Sequence, residues 1–389
     1  MLDFNNLKNA FADKSDRDLK RAYILFKTLN YPLLSQTLTF LLKTAIWIKL
    51  PVKNIIRSTI YKQFCGGTTI QDSQNVINQL WKAKIGTILD FSIEGKENEK
   101  DFERTIEQTL ESIQNAKDKE SIPFCVFKPT GLAKFSLLEK MSAKKTLNKQ
   151  EKLDADIFRK RMEKICKSAY QNKVPLFIDA EESWIQNIID EISENMMEKF
   201  NKKEAWIYNT IQLYRKDRII YLNNLLEKAN KKDFILGVKI VRGAYYEKEV
   251  KRAQEKNYPC PVHEFKYETD RDYNKALEIC IRNINRISIC AGTHNEKSSL
   301  LLSNLLKEYN IGKNDKRVYF SQLLGMSDHI SYNSSINGYN VAKYVPYGPI
   351  KELLPYLIRR AKENTSITGQ VSRELINIKQ EIQRRKKKN

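Results

Sequence analysis

Two adjacent arginines near the carboxyl end of the chain are the residues whose type and spacing best suit ligand chemistry. Their surroundings, YVPYGPIKELLPYLIRRAKEN, predict a short strand, a turn at Gly-Pro and a helix. Helical spacing places Tyr356, Arg360 and Glu363 on one side, with Arg359 beside them. Two neighbouring guanidinium groups suit one small carboxylate, because each presents a planar fork of donors, and Glu363 is placed to hold one of them. A solvated basic helix face has the same spacing, so the surrounding elements must decide.

Eight short apolar runs, rich in β-branched and aromatic residues, precede or include this stretch. They span residues 86–93, 122–130, 174–181, 205–214, 234–245, 286–294, 317–326 and 341–348. Each gap leaves room for a crossover helix, and nearly continuous apolar character is typical of buried parallel strands. Eight alternating β and α units favour an α/β fold of the (β/α)8 barrel type. A doubly wound open sheet fits the periodicity almost as well.

Polar side chains lie within or just after most of these runs, near the carboxyl end of each predicted strand. They are Lys128, Asp179, Gln212, Lys239, Arg242, Thr293, His294, Asn295 and Tyr344. In a barrel such ends gather at one face, where active sites lie, so this regularity favours function. Ordinary alternatives stay open: Lys128 as a solvated strand end, Asp179 as a helix cap, or His294 as a structural histidine. Gly243 is either a turn glycine or a place where a ligand approaches the backbone.

The chain divides into three parts by pattern. The first 65 residues predict helices and no convincing strand, and a helical pattern resumes from Thr69 to Lys84. We therefore expect a helical N-terminal arm or cap at residues 1–84, a catalytic barrel at 85–366 and a basic C-terminal helix or tail at 367–389. The Lys-rich segment 139–157 is longer than a crossover needs, which predicts an insertion or an extra helix.

Composition narrows the classes of protein. The 389 residues carry a net charge of +21, but lysine and arginine are spread through the chain and mixed with acidic residues. We therefore expect no nucleic-acid partner. Six scattered cysteines without CxxC spacing and a polar start without a signal peptide predict a reducing cytoplasm. The most apolar run, from Leu38, is interrupted by Lys43 and Lys49 and is too short to span a bilayer.

Several familiar site motifs are missing from the sequence. It holds no GxGxxG, Walker loop or GxSxG, which argues against Rossmann, P-loop and serine-hydrolase sites. It also holds no HExxH and only three histidines, so we expect no metal site.

The residues that carry a resemblance are spread in order from about residue 60 to residue 366. They are DAE at 179–181, YNTIQLY at 208–214, KIVRGAYYEKE at 239–249, KYETDRDY at 266–273, GTHN at 292–295, QLLGM at 322–326, and YVPYGP followed by YLIRRAKEN at 344–364. With these motifs the chain resembles the FAD-dependent proline dehydrogenases, also called proline oxidases. Its length and helical start resemble the monofunctional, eukaryote-like members.

The resemblance implies a distorted (β/α)8 barrel that binds FAD across the carboxyl ends of its strands. It implies oxidation of L-proline to Δ1-pyrroline-5-carboxylate, the first step of proline degradation to glutamate, by hydride transfer to flavin N5. Electrons then pass to a quinone, so a peripheral contact with the inner face of a membrane is expected, and the amphipathic tail with the overall positive charge suits an anionic leaflet. A soluble surface helix explains the tail equally well.

The resemblance also implies roles for individual residues. In the substrate site these are Arg359 and Arg360 as the carboxylate clamp, helped by Lys128 and oriented by Glu363, with Tyr245, Tyr344 and Leu323 around the ring and Tyr356 as a gate on substrate choice. The catalytic candidates are Asp179, beside the substrate and Lys128 or the arginines, and Lys239, near flavin N5. The expected flavin contacts are Ala180, Gln212, Lys239, Val241, Arg242, Gly243, Ala244, Thr269, Thr293, His294 and Asn295.

Two departures and three alternatives accompany this interpretation. Many relatives have arginine where this chain has Lys239, which loses the guanidinium fork. FKPTGL at Lys128 replaces the KLTAL or KLSAL of relatives. A hydroxyproline dehydrogenase of the same family is the nearest alternative, although a tyrosine at position 356 favours proline. A Schiff-base aldolase using Lys128 or Lys239 predicts a colourless protein, and a nucleic-acid module predicts salt-dependent binding.

Overall fold

The computed structural model describes residues 2–29, 53–91, 96–366 and 370–387, and within these it leaves the side chains of residues 53 and 361–372 undescribed. Eight parallel strands form a closed barrel in the order β1 to β8. The strands are β1 (Ile85–Phe91), β2 (Phe124–Phe127), β3 (Leu176–Ile178), β4 (Ile207–Gln212), β5 (Leu236–Val241), β6 (Ile287–Gly292), β7 (Val318–Leu323) and β8 (Val341–Tyr347). All eight apolar runs are strands, as predicted.

Closure between the first and last strands decides between the two folds that periodicity allowed. β1 pairs with β8 in parallel register from Ile85 opposite Val341 to Phe91 opposite Tyr347. Every residue of both strands is buried, because one side faces the barrel interior and the other faces helices. The open-sheet alternative is therefore excluded.

Helices connect the strands and cover the barrel. Those that the structure describes are α1 (Leu7–Ala10), α2 (Asp16–Leu29), α3 (Lys53–Ile56), α4 (Lys62–Phe64), α5 (Ile70–Lys82), α6 (Glu99–Ala116), α7 (Phe135–Ser142), α8 (Lys149–Asn172), α9 (Ser183–Phe200), α10 (Arg218–Lys232), α11 (Tyr246–Lys256), α12 (Lys266–Arg282), α13 (Glu296–Glu308), α14 (Asp328–Ile336), α15 (Ile350–Ser366) and α16 (Gln370–Lys386), with a π-helical turn at Arg57–Tyr61. Two helices, α7 and α8, lie between β2 and β3, which confirms an extra helix there.

Side-chain caps fix where several of these helices begin. Thr69, Asn98 and Asn295 each accept a hydrogen bond from a backbone N–H three residues later. Asn148 forms a capping box with Glu151 at the start of α8. Such caps satisfy orphan N–H groups and are worth about 1 kcal/mol each.

Aromatic rings fill the barrel interior below its carboxyl end. The rings of Phe124 and Phe177 stack at 4.4 Å, and Tyr208 and Tyr319 meet Phe124 edge-on. Phe177 and Tyr208 also meet edge-on at 5.3 Å. These four rings form an aromatic floor beneath the polar groups at the strand ends.

The helix after β8 departs from a regular barrel. α15 packs against α2 and the π-helical turn, in an apolar cluster that includes Phe26, Tyr61, Leu353 and Leu357. α5, which precedes β1 in the chain, lies against β1 and shares the main core. The barrel is distorted in this sense, as expected.

The C-terminal helix α16 is packed rather than free. Ile378 is buried in the same cluster as α2, and Leu375 and Ile382 pack against it. At its end the Arg385 guanidinium donates to the carbonyl of Phe11 at 2.9 Å. The apolar side that an interfacial helix would insert is therefore covered from residue 373 onward, where Ile376 is the large apolar side chain that stays exposed.

The predicted division at residues 84 and 366 stays a prediction, since α5 already belongs to the barrel core and the predicted helical block from Pro32 lies largely outside the described residues. Within the described parts of the chain, no helix is both long and apolar enough to cross a membrane.

Candidate active site at the carboxyl end of the barrel

Five charged or polar side chains share the inward side of the strands at the carboxyl end. They are Asp90, Lys128, Asp179, Lys239 and Tyr344. Asp90, Lys128, Asp179 and Tyr344 each come two positions after a residue of the cluster that fills the barrel interior. Those preceding residues are Ile88, Val126, Phe177 and Ala342. Because successive side chains of a strand alternate between its faces, residues two apart point the same way. Strand geometry alone therefore brings these groups together.

Asp179 is the centre of the resulting hydrogen-bond network. Its Oδ2 accepts from Lys128 Nζ at 2.5 Å. Its Oδ1 accepts from Lys239 Nζ and from the Tyr344 hydroxyl, the latter at 2.8 Å. Lys239 Nζ also donates to the Tyr344 oxygen at 2.5 Å. Both carboxylate oxygens are thus held by strong, charge-assisted bonds.

Burial and charge together set the protonation of this network. Asp179, Lys239 and Tyr344 are buried. Burial by itself raises the pKa of the Asp179 carboxyl, but the ammonium groups of Lys128 and Lys239 more than offset it and hold the pKa well below its usual range. Burial, and then the nearby Asp179 and Asp90 carboxylates, raise the pKa of Tyr344 well above its usual value. Asp179 is therefore an anion and Tyr344 a neutral donor.

Lys239 stands on the aromatic floor. Its Nζ lies 5.1 Å from the centre of the Phe177 ring and 4.6 Å from that of Tyr344, within the range of cation–π attraction. On the opposite side, Lys128 Nζ lies 3.9 Å from Asp90 Oδ2. The two lysines and two aspartates bring no net charge into the interior.

The paired arginines lie at the same face, carried there by α15. Arg359 Cζ lies 5.9 Å from the centre of the Tyr245 ring, which follows β5. Arg360 Cζ lies 5.2 Å from the ring of Tyr356, one turn earlier on the helix. Arg360 is buried and Arg359 half-buried. The solvated-face alternative does not hold for these two residues. The side chain of Glu363 lies outside the described residues, so its orienting role stays a prediction.

His294, after β6, is held neutral. Its Nδ1 lies 2.9 Å from the Ser327 hydroxyl. Burial, and then the positive charges of Lys343 and Arg360, lower the pKa of His294 to about 3. The dependence on Arg360 places this histidine near the arginine helix.

Arg242, after β5, is anchored by several partners. Its guanidinium donates to Asp270 Oδ1 at 2.6 Å, to the Thr293 hydroxyl at 2.5 Å and to the Ser298 hydroxyl at 3.0 Å. The ring of Tyr273 lies 4.4 Å from its Cζ. A fixed cation and neighbouring hydroxyls are thus presented between β5 and β6.

The turn after β5 exposes its backbone. Gly243 has φ +141, and a Cβ there would meet the Tyr214 ring at 2.4 Å, so only glycine fits. The Ala244 N–H donates to Gln212 Oε1 at 3.2 Å, and Gln212 Nε2 donates to the Glu181 carbonyl at 2.7 Å. Gln212 therefore ties the ends of β3 and β5 together.

The remaining predicted residues take simpler positions. Val241 ends β5, Leu323 pairs with Tyr344 in the β7–β8 register, and Thr269 lies buried in the first turn of α12. Asn295 caps α13, and its N–H donates to the Thr293 hydroxyl at 3.0 Å. Ala180, half-buried, follows Asp179.

Sequence reasoning missed two groups. Asp90 lies within the first apolar run, and its inward position, two residues after Ile88, was the signal that could have found it. Lys343 points the other way and is fully buried; its Nζ lies 2.7 Å from Asp328 Oδ1 beyond the barrel wall. No sequence signal pairs Lys343 with Asp328, because their contact is made between β8 and α14. Among the described residues no cluster of three or more His, Cys, Asp or Glu is arranged to hold a metal.

The chain is a closed (β/α)8 barrel with charged groups gathered at its carboxyl face, where barrel enzymes have their active sites. A model of the proline dehydrogenase family matches residues 73–373. The chain belongs to the proline dehydrogenase family.

Relatives and solved structures agree with this assignment. The carbapenem antibiotics biosynthesis protein CarD of Pectobacterium carotovorum subsp. carotovorum is 31% identical over 98% of this chain and 98% of its own length. Mitochondrial proline dehydrogenase 1 of Dictyostelium discoideum is 32% identical over 96% of this chain and 74% of its own. Hydroxyproline dehydrogenase of Xenopus laevis is 29% identical over 96% and 88%.

The fold also matches a solved structure. Proline utilization A from Bdellovibrio bacteriovorus, inactivated by N-propargylglycine, superposes with a TM-score of 0.72 at 21% identity. The match covers 92% of this chain and 38% of that longer protein. At this identity the likeness concerns the fold.

Proposed function

We propose that this chain is an FAD-dependent dehydrogenase that oxidises L-proline to Δ1-pyrroline-5-carboxylate. The observation that carries the proposal is the placement of the arginine pair on α15 and of the Lys128–Asp179–Lys239–Tyr344 network at the same carboxyl face of the barrel. Family membership supplies the class of reaction. The arrangement of charges supplies the substrate class, a small ring compound with a carboxylate.

Arg359 and Arg360 bind the substrate carboxylate. Two guanidinium groups offer bidentate donors to its two oxygens. Tyr245, beside Arg359, and Tyr344, above the aromatic floor, pack on the apolar ring, with Leu323 as the wall. Holding a small zwitterion in one orientation can supply several kcal/mol of rate acceleration.

FAD fits the groups between β5 and β6. Arg242, the hydroxyl of Thr293 and the exposed turn at Gly243 suit a ligand that carries phosphates, because they combine a fixed cation and a hydroxyl donor with a backbone that a ligand can approach closely. Lys239 lies further inward and would hold the flavin ring system. His294 and Asn295 complete this side of the cofactor site.

The reaction removes two electrons and two hydrogens from proline. The C–H bond beside the ring nitrogen breaks with loss of a hydride, the nitrogen loses a proton, and a C=N bond forms. When bound, FAD supplies the acceptor for that hydride. Lys239, paired with the Asp179 carboxylate, would provide a fixed positive field beside that acceptor. Tyr344, held neutral, orients the ring without taking part in proton exchange.

A quinone is the proposed electron acceptor, reached at a membrane surface in a peripheral manner. The covered apolar side of α16 leaves electrostatic attraction by its basic end as the means of contact. Sedimentation with anionic and neutral vesicles tests this. Binding that is equal for both compositions, or undiminished without residues 370–389, contradicts a role for the basic helix.

Hydroxyproline oxidation is the second candidate function. The Xenopus relative, 29% identical over nearly the whole chain, favours it. The buried ring of Tyr356 packs against Arg360. Hydroxyproline-selective members of the proline dehydrogenase family tend to have a smaller residue at this position. We therefore expect proline to be the better substrate, as a ratio of kcat/KM.

The decisive experiment records the visible spectrum of the purified protein under anaerobic conditions. A yellow protein whose flavin band bleaches with L-proline, but not with D-proline, supports cofactor and substrate together. Faster bleaching with trans-4-hydroxy-L-proline would favour the second candidate. A colourless protein that takes up no added FAD would contradict the proposal.

Arg360→Ala tests the substrate clamp. Losing one charge-assisted pair costs about 2–5 kcal/mol, so the apparent KM for proline is expected to rise at least about thirtyfold. Flavin content and absorbance should equal those of the parent. Unchanged proline kinetics in this variant would contradict the clamp.

A further inference from the structure

The start of the arginine helix is fastened by the segment that precedes the barrel. Gly348, just before α15, has φ +142, a conformation that lets the chain turn sharply from β8 into the helix. Its N–H donates to the carbonyl of Gly67 at 3.0 Å. Its carbonyl accepts from the buried Tyr61 hydroxyl at 2.9 Å. Both polar groups of this hinge peptide are therefore held by residues 61–67.

The segment that carries Tyr61 is itself fixed against β8. The Gly66 N–H donates to the Pro346 carbonyl at 2.8 Å, and Gly67 forms a parallel bridge with Tyr347. A Cβ on Gly66 would lie 2.5 Å from Val345. Such close approach requires glycine and leaves little freedom to shift. Tyr61 thus acts from a rigid base.

The π-helical turn that ends at Tyr61 also packs against the arginine helix. The Tyr61 ring lies in the apolar cluster that contains Leu353, Tyr356 and Leu357 of α15. Tyr356 is the residue whose ring lies under the Arg360 guanidinium at 5.2 Å. One side chain therefore binds the hinge of α15 and belongs to the same apolar cluster as the residue that packs against the arginine.

The helix has reason to need such an anchor. Pro355 lies inside α15 and has no N–H to give to the carbonyl four residues earlier, which weakens the first turn. With that internal bond missing, the position of Arg359 and Arg360 depends more on contacts outside the helix.

We propose that Tyr61 is a positioning residue for the substrate-carboxylate clamp, acting through Gly348 and Tyr356 on Arg359 and Arg360. This inference rests on the proposed function. Tyr61 does not touch the substrate, and its effect is to fix the angle at which the arginine helix meets the barrel. The consequence is felt in the binding of a carboxylate rather than in the redox step.

Tyr61→Phe removes one hydroxyl and keeps the ring. Losing the bond to Gly348 is expected to raise the apparent KM for L-proline roughly three- to tenfold. The value of kcat, the flavin content and the visible spectrum should remain those of the parent. Competitive inhibition by acetate, a bare carboxylate, should weaken by a similar factor.

Tyr339→Phe is the matched control. Its buried hydroxyl pairs with Ser303 at 2.7 Å, just before β8, at the other end of the barrel. Tyr339→Phe loses a buried hydroxyl hydrogen bond, as Tyr61→Phe does. We therefore expect the two variants to show a similar fall in Tm, with the KM for proline unchanged in Tyr339→Phe. Tm is recorded for both variants so that a general loss of stability is seen as such.

The outcomes separate the two claims. If the parent shows no flavin reduction by proline, the proposed function fails. If the parent is active and Tyr61→Phe leaves KM and acetate inhibition unchanged, the inference about Tyr61 is overturned. It is also overturned if kcat falls with KM constant, or if Tyr339→Phe raises KM equally.

Discussion

Replacing Asp179 with asparagine should expose the electrostatic logic of the barrel interior. The change keeps the shape of the side chain but removes the charge that two lysines share. The asparagine oxygen can still accept from one ammonium, whereas its NH2 group then faces the other. Lys128 and Lys239 would remain as buried cations without their common counter-ion.

The expected cost follows from the two broken pairs. A hydrogen bond to a charged group contributes about 1.5–3 kcal/mol, and removing one partner of a buried pair costs about 3–5 kcal/mol in total. Native domains are stable by only about 5–15 kcal/mol. We therefore expect Asp179→Asn to lose about 3–5 kcal/mol of unfolding free energy, a large part of the whole.

Urea unfolding at constant m-value measures this loss. Glu191→Gln is the matched control, because it makes the same carboxylate-to-amide change in an exposed pair with Arg159 at 2.9 Å, worth at most about 1 kcal/mol. The double variant Asp179→Asn with Lys239→Met relieves one of the stranded cations. It should be less destabilised than the sum of the single variants by at least about 1 kcal/mol.

The pH dependence has a definite sign. The folded pKa of Asp179 is below its unfolded value of about 3.9. Its contribution is therefore complete above about pH 4 and is lost as the pH falls toward the folded pKa. The stability gap between parent and Asp179→Asn should be constant from about pH 6 to 8 and narrow below about pH 4.

Two results would refute this reasoning. A loss below about 1 kcal/mol for Asp179→Asn would mean that the lysines do not depend on it. Additive behaviour of the double variant would mean that Asp179 and Lys239 are not coupled.

Two further predictions concern the cofactor side. The pKa of His294 is about 3 in the folded protein and about 6.5 in the unfolded chain. Between these two pH values the unfolded chain binds a proton at this position and the folded protein does not. Each pH unit of acidification through that window therefore lowers the free energy of unfolding by about 1.4 kcal/mol. His294→Gln should show a correspondingly shallower acid limb in urea unfolding, and an unchanged slope would contradict the neutral state. Gly243→Ala places a methyl group against the Tyr214 ring at positive φ and should lower both flavin content and Tm. The control is Gly338→Ala, at φ +87 with open space around it, which should lower Tm slightly and leave flavin content unchanged. Equal flavin content in the two variants would contradict the role of the Gly243 turn.

The strands and the class of fold could be predicted because each strand is a local pattern. A run such as residues 234–241 is nearly continuous in apolar residues, since both faces of its strand are buried, and this needs no knowledge of distant residues. Barrel closure is different. It depends on β8 meeting β1 across more than 250 residues, and periodicity alone could not separate it from an open sheet.

The candidate site was predictable in part for the same reason. The positions of Lys128 and Asp179 just after their strands, and of Lys239 near the end of β5, can be read from the sequence, because parallel strands end at a common edge. Their mutual bonds cannot, since they depend on the register between β2, β3 and β5. Asp90 shows the limit, because finding it required counting inward positions within an apolar run rather than inspecting the polar residues at the end of that run.

The placement of α15 was beyond local reasoning. Its arginines looked like a solvated face because nothing in the helix itself shows that Phe26 and Tyr61, from the N-terminal helices, pack on the same helix. Long-range packing of this kind turns a basic stripe into a buried one.

The distribution of charge assigns different tasks to the two parts of the site. In the interior, Lys128 and Lys239 face Asp90 and Asp179. The charges of these four residues balance, so the network attracts neither anions nor cations strongly. Recognition of the substrate carboxylate then falls to Arg359 and Arg360 on α15. Because that helix is held from outside the barrel by the Gly348 hinge, substrate affinity can change with the position of α15 while the interior network keeps its geometry. Changes in the N-terminal segment are therefore expected to alter the KM for the substrate and to leave the flavin environment unaltered. Changes at Asp179 or Lys239 are expected to alter the flavin environment and to leave carboxylate binding intact.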